Sequence, residues 1–381
     1  MSDFNEIVEE VYKHLECDNQ NWLFGAGISY ESKVPIMAPL TKRVKALLTG
    51  EDPFDKLYSA VESDLPESHH IEHVLSHIGD LVALSERSKD NKVNYGGTDY
   101  TKDTLLELHK TLVGHIADIM RYGYVEAKDG TAEQIGTINE PIVLIKHHRE
   151  FVKAFLSLKS NLISRSSIAF FTTNYDTLLE DALILEKQKI CDGFTGTAMG
   201  FWNPEISFKE SNSVNIYKLH GSVDWYNHKE DGIIRSRYGV KYCSDVKNIL
   251  IYPQATKYVE TQKDPFTTLF SRFRDRLNSN NDNILVTSGY SFGDNHINSE
   301  IESAITHPGN QTTLIVFLKS ATENKTLLSW LKDEELSKKT FIATEKGVYH
   351  RSDQIIKKMD KEKLEWWTFK GLIDFLKGGK I

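Results

Sequence analysis

Four short polar segments, each following an apolar run, contain the residue types that could carry chemistry in this sequence. They are GAGIS at 25–29, TTNYD at 172–176, LHGS at 219–222 and SGYSFGD at 288–294. Glycines that follow a strand expose backbone N–H groups, which can bind phosphate. The amide, carboxylate and imidazole side chains can orient a substrate, hold a leaving group and accept a proton.

Each motif also has a purely structural explanation when it is taken alone. GAGIS lacks the third glycine of the dinucleotide-binding fingerprint, so Gly25 and Gly27 could simply form a tight turn. His220 ends an apolar run, a position where a hydrogen-bonded core histidine is common. Asp294 could equally cap the helix that follows it. For each segment by itself these alternatives stay open.

Short apolar runs predict strands immediately before these segments. A first run lies at 21–26, and IAFF, NIYK, NILIY, NILVT, TTLIVF and KTFIA follow after residue 166, separated by loops or helical segments. This alternation is typical of a doubly wound, Rossmann-like parallel sheet of the α/β class. Ligands of such sheets bind at the carboxyl ends of the strands, so the four polar segments are expected at one edge.

The sequence between the first strand and the later ones has a helical hydrophobic period. Apolar residues recur at i, i+3, i+4 and i+7 in segments 41–48, 71–86, 100–121 and 143–158. Two stretches rich in Gly, Asp and Lys, NKVNYGGTD and EAKDGTAEQIGT, are expected to be loops.

These patterns predict a discontinuous organisation of the chain. Residues 1–40 and 164–350 form the nucleotide-binding core, and residues 41–163 form a large helical insertion within it. Residues 351–381 are predicted to be an amphipathic tail whose aromatic side chains dock on the core or on another subunit.

Composition excludes several other classes of protein. The 381 residues carry a formal net charge of −8, which disfavours direct nucleic-acid binding despite the arginines of FSRFRDRLNS. Cys17, Cys191 and Cys243 are far apart in sequence, so we predict neither a disulfide framework nor a thiolate-based metal site. The acidic N-terminus and the lack of an apolar run of about 20 residues indicate a cytoplasmic protein without a membrane span.

The order of the four motifs resembles that of the sirtuin superfamily. Sirtuins carry GAGIS, an Asn-x-Asp strand end, a His-Gly pair and a Gly-Ser-rich loop in this order. The match covers residues 24–29 and, discontinuously, 168–294. The resemblance implies that the ligand is NAD.

The resemblance also implies a role for each motif residue. Asn174 matches the asparagine that orients the nicotinamide ribose and a water, Asp176 matches the carboxylate that binds the carboxamide, and His220 matches the base. The residues implied in binding the rest of the dinucleotide are Gly25, Ala26, Gly27, Ser29, Thr173, Gly289, Ser291 and Asp294.

Three departures separate this chain from sirtuin deacylases. Those enzymes follow GAGIS with Gly-Ile-Pro-Asp-Phe-Arg, whereas here Pro35 precedes IMA at 36–38. The two CxxC pairs of the zinc ribbon are missing, since Cys243 is the only cysteine between the His-Gly and Gly-Ser elements. The segment after His220 also differs from the one that binds an acyl-lysine peptide as an extra strand. Without an acyl oxygen at the site, water can attack the anomeric carbon instead.

We therefore expect an NAD+ glycohydrolase, with NAD as its substrate and with no metal and no zinc ribbon. The altered pattern resembles the sirtuin-like NADases of bacterial anti-phage defence, where NAD depletion stops the infected cell. The size and layout resemble the NADase subunit that pairs with a HerA-type hexameric ATPase, so control by such a partner or by homo-oligomer formation is expected.

Two alternative functions stay open. One is a protein deacylase or ADP-ribosyltransferase. The other is a non-catalytic subunit that senses NAD or ADP-ribose, which the presence of both Asn174 and His220 disfavours.

Overall fold

The fold was analysed in a computed structural model of the chain. The structure describes residues 4–158, 168–210, 212–237, 246–250, 264–278, 282–357 and 363–378. Every predicted site residue lies within these ranges. Cys243 and the boundary predicted at 163/164 lie outside them, while Cys17 and Cys191 are free thiols.

The described helices and strands are numbered in chain order. The helices are α1 (Phe4–Leu15), α2 (Gly27–Tyr30), α3 (Met37–Leu48), α4 (Phe54–Asp64), α5 (Ile71–Arg87), α6 (Lys102–Tyr122), α7 (Lys146–Leu158), α8 (Leu178–Leu185), α9 (Pro204–Ser207), α10 (Phe266–Leu277), α11 (Asn295–Thr306), α12 (Lys325–Lys332), α13 (Glu334–Lys338) and α14 (Phe369–Gly378). The strands are β1 (Gln20–Phe24), β2 (Lys92–Tyr95), β3 (Thr98–Thr101), β4 (Tyr124–Val125), β5 (Gln134–Ile135), β6 (Ile168–Thr172), β7 (Ile190–Cys191), β8 (Phe194–Gly196), β9 (Met199–Trp202), β10 (Val214–Lys218), β11 (Gly221–His228), β12 (Gly232–Ser236), β13 (Val246–Leu250), β14 (Asn283–Ser288), β15 (Thr312–Phe317), β16 (Thr340–Thr344), β17 (Gly347–His350) and β18 (Ile355–Lys357).

The largest sheet has nine strands in the order β18-β17-β16-β15-β14-β1-β6-β10-β7. The strands from β16 to β7 are parallel, whereas β17 and β18 run antiparallel at one edge. This arrangement confirms the predicted α/β fold class with a doubly wound parallel sheet. Strand β1 pairs with β14 on one side and β6 on the other, so the chain order changes direction at β1, where ligands of such sheets bind.

The sheet is buried on both faces, because successive side chains of each strand point to opposite sides. Trp22 and Phe24 of β1 pack with Phe151 of α7 and Phe369 of α14 on one face. Leu23, between them, packs into the aromatic and aliphatic cluster beneath α10, α11 and α12 on the other. The central strands β1, β6 and β14 therefore consist entirely of buried residues.

The helical segments before β6 form a third core of their own. Helices α3, α4, α5 and α6 contribute Val44, Leu57, Leu75 and Leu108 to it. The predicted loop NKVNYGGTD is instead the hairpin of β2 and β3, because Gly96 and Gly97 both adopt the positive φ angles that suit a two-residue turn. The second predicted loop begins directly after β4 and contains β5, which pairs with β4.

A second sheet is formed by strands that lie between β7 and β14 in the chain, with the order β13-β11-β12-β9-β8 and antiparallel pairing. The apolar run NILIY was predicted as part of the parallel sheet, and this prediction was wrong for its described part, which pairs as β13 with β11. A short apolar run indicates a buried strand but does not specify the partner strand, so the sequence could not separate the two sheets.

The aromatic residues of the C-terminal segment pack on the core of the same chain. Trp366, Phe369 and Phe375 belong to the same buried cluster as Phe4. The Trp366 indole N–H donates to the carbonyl oxygen of Thr344 at 2.8 Å. None of the described helices is long and apolar enough to cross a membrane.

A buried lysine links the end of β10 to the loop that follows β6 and to α8. Lys218 is 1% exposed, and its ammonium group donates to the backbone carbonyl of Asp176 and lies 3.0 Å from a Glu180 carboxylate oxygen. Burial raises the pKa of Glu180, and the neighbouring Lys218 ammonium opposes this shift. Lys218 therefore stabilises both the backbone of this loop and a carboxylate of α8.

We predict that Lys218→Met lowers the free energy of unfolding by about 3–5 kcal/mol, because it leaves Glu180 buried without its cation. Urea denaturation would measure the loss, and Lys218→Met combined with Glu180→Gln should recover part of it. Lys209→Met removes one partner of the exposed Lys209–Glu205 pair and should leave the midpoint unchanged. Equal midpoints for the two lysine variants would contradict a structural role for the buried pair.

Candidate active site

The four polar segments predicted at strand ends meet at one cavity of about 580 Å³. They follow β14, β1, β6 and β10, which are neighbours in the parallel sheet, so their loops emerge side by side. The cavity is lined by all the predicted site residues: Gly25, Ala26, Gly27, Ser29, Thr173, Asn174, Asp176, His220, Gly289, Ser291 and Asp294.

The two glycine segments touch each other through their backbones. The N–H of Gly27 donates to the carbonyl oxygen of Gly289 at 3.0 Å. A Cβ atom on Gly25 would lie 2.4 Å from that oxygen, and one on Gly289 would lie 2.5 Å from the nitrogen of Ile28. Gly289 also has a φ of +65°, which disfavours other residues. Glycine is therefore required for this close approach, which lines the cavity with backbone.

A chain of hydrogen bonds orients the polar side chains after β6. The amide Nδ2 of Asn174 donates to the Ser29 hydroxyl at 3.2 Å, and that hydroxyl donates to Asp176 Oδ2 at 2.9 Å. The other oxygen of Asp176 accepts the backbone N–H of Leu178 at 3.1 Å. Asn174 is only 7% exposed, yet its Oδ1 has no hydrogen-bond partner among the described residues. An acceptor of this kind favours a ligand or water that donates a hydrogen bond to it.

The buried His148 of α7 extends this network and was missed by the sequence analysis. Its Nε2 lies 3.5 Å from the Ser29 hydroxyl and its Nδ1 lies 3.2 Å from the Ser32 hydroxyl. Burial lowers the pKa of His148 to about 4, so the imidazole is neutral near pH 7. Because Ser29 gives its proton to Asp176, it accepts from His148 Nε2–H, and Nδ1 accepts from Ser32. The only sequence signal was a histidine three residues before the core residue Phe151.

His220 and Asp294 form a buried pair across the cavity. Nε2 of His220 lies 2.9 Å from Oδ2 of Asp294. Oδ1 of Asp294 accepts the backbone N–H groups of His296 and Ile297, at the start of α11. The carboxylate therefore caps a helix and also binds a histidine of the cavity, so the two explanations left open for Asp294 do not exclude each other.

The helices before β6 supply the remaining wall of the cavity. The lining residues here are the α5 N-cap residue His70, Glu72 and His73 of α5, Met120 of α6 and the divergent segment 36–38. The Tyr175 hydroxyl donates to Glu72 Oε1 at 2.6 Å and anchors α5 to the segment after β6. Burial lowers the pKa of His70 to about 4. The sequence analysis missed these residues, although the histidine cluster in SHHIEHVLSHI was a visible signal.

The strand that begins directly after His220 is paired on both sides in its second half. Residues 225–228 of β11 pair with β12 on one side, and residues 226–228 pair with β13 on the other. A peptide that binds by adding a strand requires an unpaired edge, and residues 226–228 do not offer one. Among the described residues, no group of three or more His, Cys, Asp or Glu side chains is arranged to hold a metal ion.

Residues 168–338 match the family model of the SIR2-like domain. The match includes the segments that carry Asn174, His220 and Asp294, and it supports the sirtuin-like resemblance for this part of the chain. SIR2-like proteins act on NAD, which agrees with the predicted ligand class.

Comparison with curated proteins finds no match. One of the solved structures that match, described as a mutant Sir2 homologue in complex with ADP-ribose, is 11% identical to this chain. The alignment covers 82% of this chain and 86% of the chain of that structure, at a TM-score of 0.37. This likeness supports no inference about the ligand.

We predict that Gly289→Ala lowers the free energy of unfolding by about 1–3 kcal/mol and weakens nucleotide binding, because the new Cβ overlaps the backbone at Ile28. Gly130→Ala is the matched control, since Gly130 also has a positive φ of +82° and its Cβ would meet none of the described atoms within 4 Å. Thermal unfolding and NAD titration would measure both effects. Equal behaviour of the two variants would refute the requirement for close backbone contact.

We predict that His148 makes the protein less stable in mild acid. Its pKa is about 4 in the folded chain and near the ordinary 6.5 in the unfolded chain. Between these values only the unfolded state binds the proton, so the free energy of unfolding falls as pH decreases, by about 2 kcal/mol between pH 7.5 and pH 5.

Urea midpoints at both pH values would test this prediction with His148→Gln, which keeps an amide donor but cannot titrate. The variant should lose that part of the pH dependence, whereas the exposed-site control His307→Gln should retain it. A wild type and a His148→Gln variant with equal acid sensitivity would contradict the assignment.

Proposed function

We propose that the protein is an NAD+ glycohydrolase that cleaves the bond between nicotinamide and ribose. The observation that carries the proposal is the oriented Asn174, which lines the cavity together with His220 and Asp176 and whose Oδ1 has no hydrogen-bond partner among the described residues. An amide oxygen held in this way can accept a hydrogen bond from a water and place it for attack.

The residues of the cavity fit a dinucleotide substrate. The bare backbone at Gly25, Gly27 and Gly289 suits the close approach of a pyrophosphate, for which backbone N–H groups are good ligands. The hydroxyl groups of Thr173 and Ser291 line the same cavity and suit ribose hydroxyls.

The proposed reaction consumes NAD+ and water and gives nicotinamide, ADP-ribose and a proton. The water oxygen forms a bond to the anomeric carbon as the carbon–nitrogen bond breaks. The electron pair of that bond neutralises the cationic nicotinamide nitrogen, so no acid is needed. Asn174 orients the water, Asp176 holds the carboxamide of the leaving base, and His220 takes the proton.

Two features favour hydrolysis over deacylation. Both edges of β11 are already paired along residues 226–228, so strand addition by an acyl-lysine peptide has no edge to use there. His70, His73 and Met120 form a wall of the cavity from helices that have no counterpart in the sirtuin motif set. The non-catalytic sensing subunit is disfavoured, since binding alone has no need for both Asn174 and the His220–Asp294 pair.

We further propose that this activity serves anti-phage defence in the cytoplasm by depleting NAD. The protein would then act as a homo-oligomer or together with a HerA-type hexameric ATPase. Motif order and chain layout support these proposals, and the partner would supply the control of activity.

The test is to incubate the purified full-length chain with NAD+, alone and with a HerA-type ATPase, and to separate the products by chromatography. Nicotinamide and ADP-ribose should form in equal amounts. Asn174→Ala should lower kcat by about 100-fold or more, and His220→Ala should also abolish turnover. Asn94→Ala, at an exposed asparagine, should leave turnover unchanged.

Each alternative function gives a different result in this experiment. An acyl-lysine peptide that diverts ADP-ribose into an acylated product would indicate a deacylase, and transfer to an added protein would indicate an ADP-ribosyltransferase. If NAD+ binds but stays intact with and without the ATPase, hydrolysis is refuted and the sensing subunit is favoured.

A further inference from the structure

Asp294 is held in place by its own loop and helix. Its Oδ1 accepts two backbone N–H groups of α11, from His296 at 3.0 Å and Ile297 at 3.3 Å. The Tyr290 hydroxyl donates to the Asp294 backbone carbonyl at 3.3 Å. The side chain is 6% exposed. The position of the second oxygen, Oδ2, is therefore determined by the helix start.

That second oxygen lies 2.9 Å from Nε2 of His220, which is also 6% exposed. An ionised carboxylate can only accept hydrogen bonds, so Nε2 must carry a proton to form this one. In a neutral imidazole only one nitrogen carries a proton, and the lone pair then resides on Nδ1. The contact with Asp294 thus selects one of the two tautomers of His220.

We propose that Asp294 is a positioning residue that holds His220 in the tautomer protonated at Nε2, so that Nδ1 is the nitrogen that takes the proton. This inference rests on the proposed NAD+ hydrolysis. As the water oxygen bonds to the anomeric carbon, one water proton moves to Nδ1. The resulting imidazolium is stabilised by the Asp294 carboxylate until the proton leaves to solvent.

This role differs from the direct contact with the dinucleotide that the sequence resemblance implied for Asp294. Both carboxylate oxygens are engaged by the chain itself, one by the start of α11 and one by His220. The residue joins the loop after β14 to the end of β10, and it thereby fixes the imidazole of His220 in the cavity that Asn174 also lines.

Asp294→Asn separates the orienting role from the helix cap. Asparagine is an equally good cap, so Oδ1 can still accept the N–H groups of α11. Its Nδ2 would donate to Nε2 of His220, which moves the imidazole proton to Nδ1 and removes the acceptor. We expect kcat to fall by about 100-fold to 10,000-fold, as when the carboxylate of a catalytic triad is replaced by an amide. The KM for NAD+ and the melting temperature should stay close to wild type.

Asp333→Asn is the matched control, because Asp333 caps α13 through the backbone N–H groups of Glu335 and Leu336 without contacting a histidine. It should leave kcat unchanged. In the Asp294→Asn background, His220→Ala should cause little further loss, since the two residues act as one unit.

Nitrogen NMR of protein with 15N-labelled histidine supplies a readout that does not depend on NAD+ cleavage. The His220 signals, assigned with a His220→Gln sample, should report a proton on Nε2 in the wild type and on Nδ1 in Asp294→Asn. If the tautomer switches in Asp294→Asn but the wild type cleaves no NAD+, the positioning of His220 is supported and the proposed function is refuted. Unchanged kcat in Asp294→Asn, or a wild-type His220 protonated at Nδ1, would overturn the inference.

Discussion

The parallel pairing of β1 with β14 and β6 is the constraint on which the candidate site depends. Because the strands run in the same direction, the segments that leave their carboxyl ends emerge at one edge. The backbone of Gly25 to Gly27 then meets Gly289 with no room for a Cβ atom. Asn174 and His220 follow β6 and β10, whose carboxyl ends lie at the same edge of the sheet. Their polar side chains therefore reach the cavity without long loops.

The cavity is a polar site surrounded by large apolar cores, and its buried polar groups need hydrogen-bond partners. Ser29 serves as donor to Asp176 and as acceptor for Asn174, which gives the amide a single orientation. The Lys218 ammonium group donates a hydrogen bond to the backbone carbonyl oxygen of Asp176. In a low-dielectric interior, hydrogen bonds of this kind rigidify the groups that they connect, as a site that positions a water requires.

The helices between β1 and β6 make the difference between an open sheet edge and an enclosed cavity. They have their own hydrophobic core and also bury Tyr175, Leu178 and Val223 of the region that matches the SIR2-like model. Arg121 donates to the Val223 carbonyl and, at 2.9 Å, to the Tyr226 hydroxyl. These contacts attach the helices to the strand after His220. A change in the packing of the helices would therefore alter the positions of the residues proposed to carry the reaction.

The sequence by itself determined the parallel α/β core and the motif residues around the cavity, since strand ends of a parallel sheet share an edge whatever the intervening segments do. Only the tertiary structure decided that His148 and His70 join the site and that the run after Lys247 pairs with β11 rather than with the parallel sheet. The local sequence pattern indicates whether a residue is buried, whereas the residues that it contacts depend on the packing of elements far apart in the chain. A histidine on an apolar helix face therefore looks like core until the serine that it contacts is brought next to it.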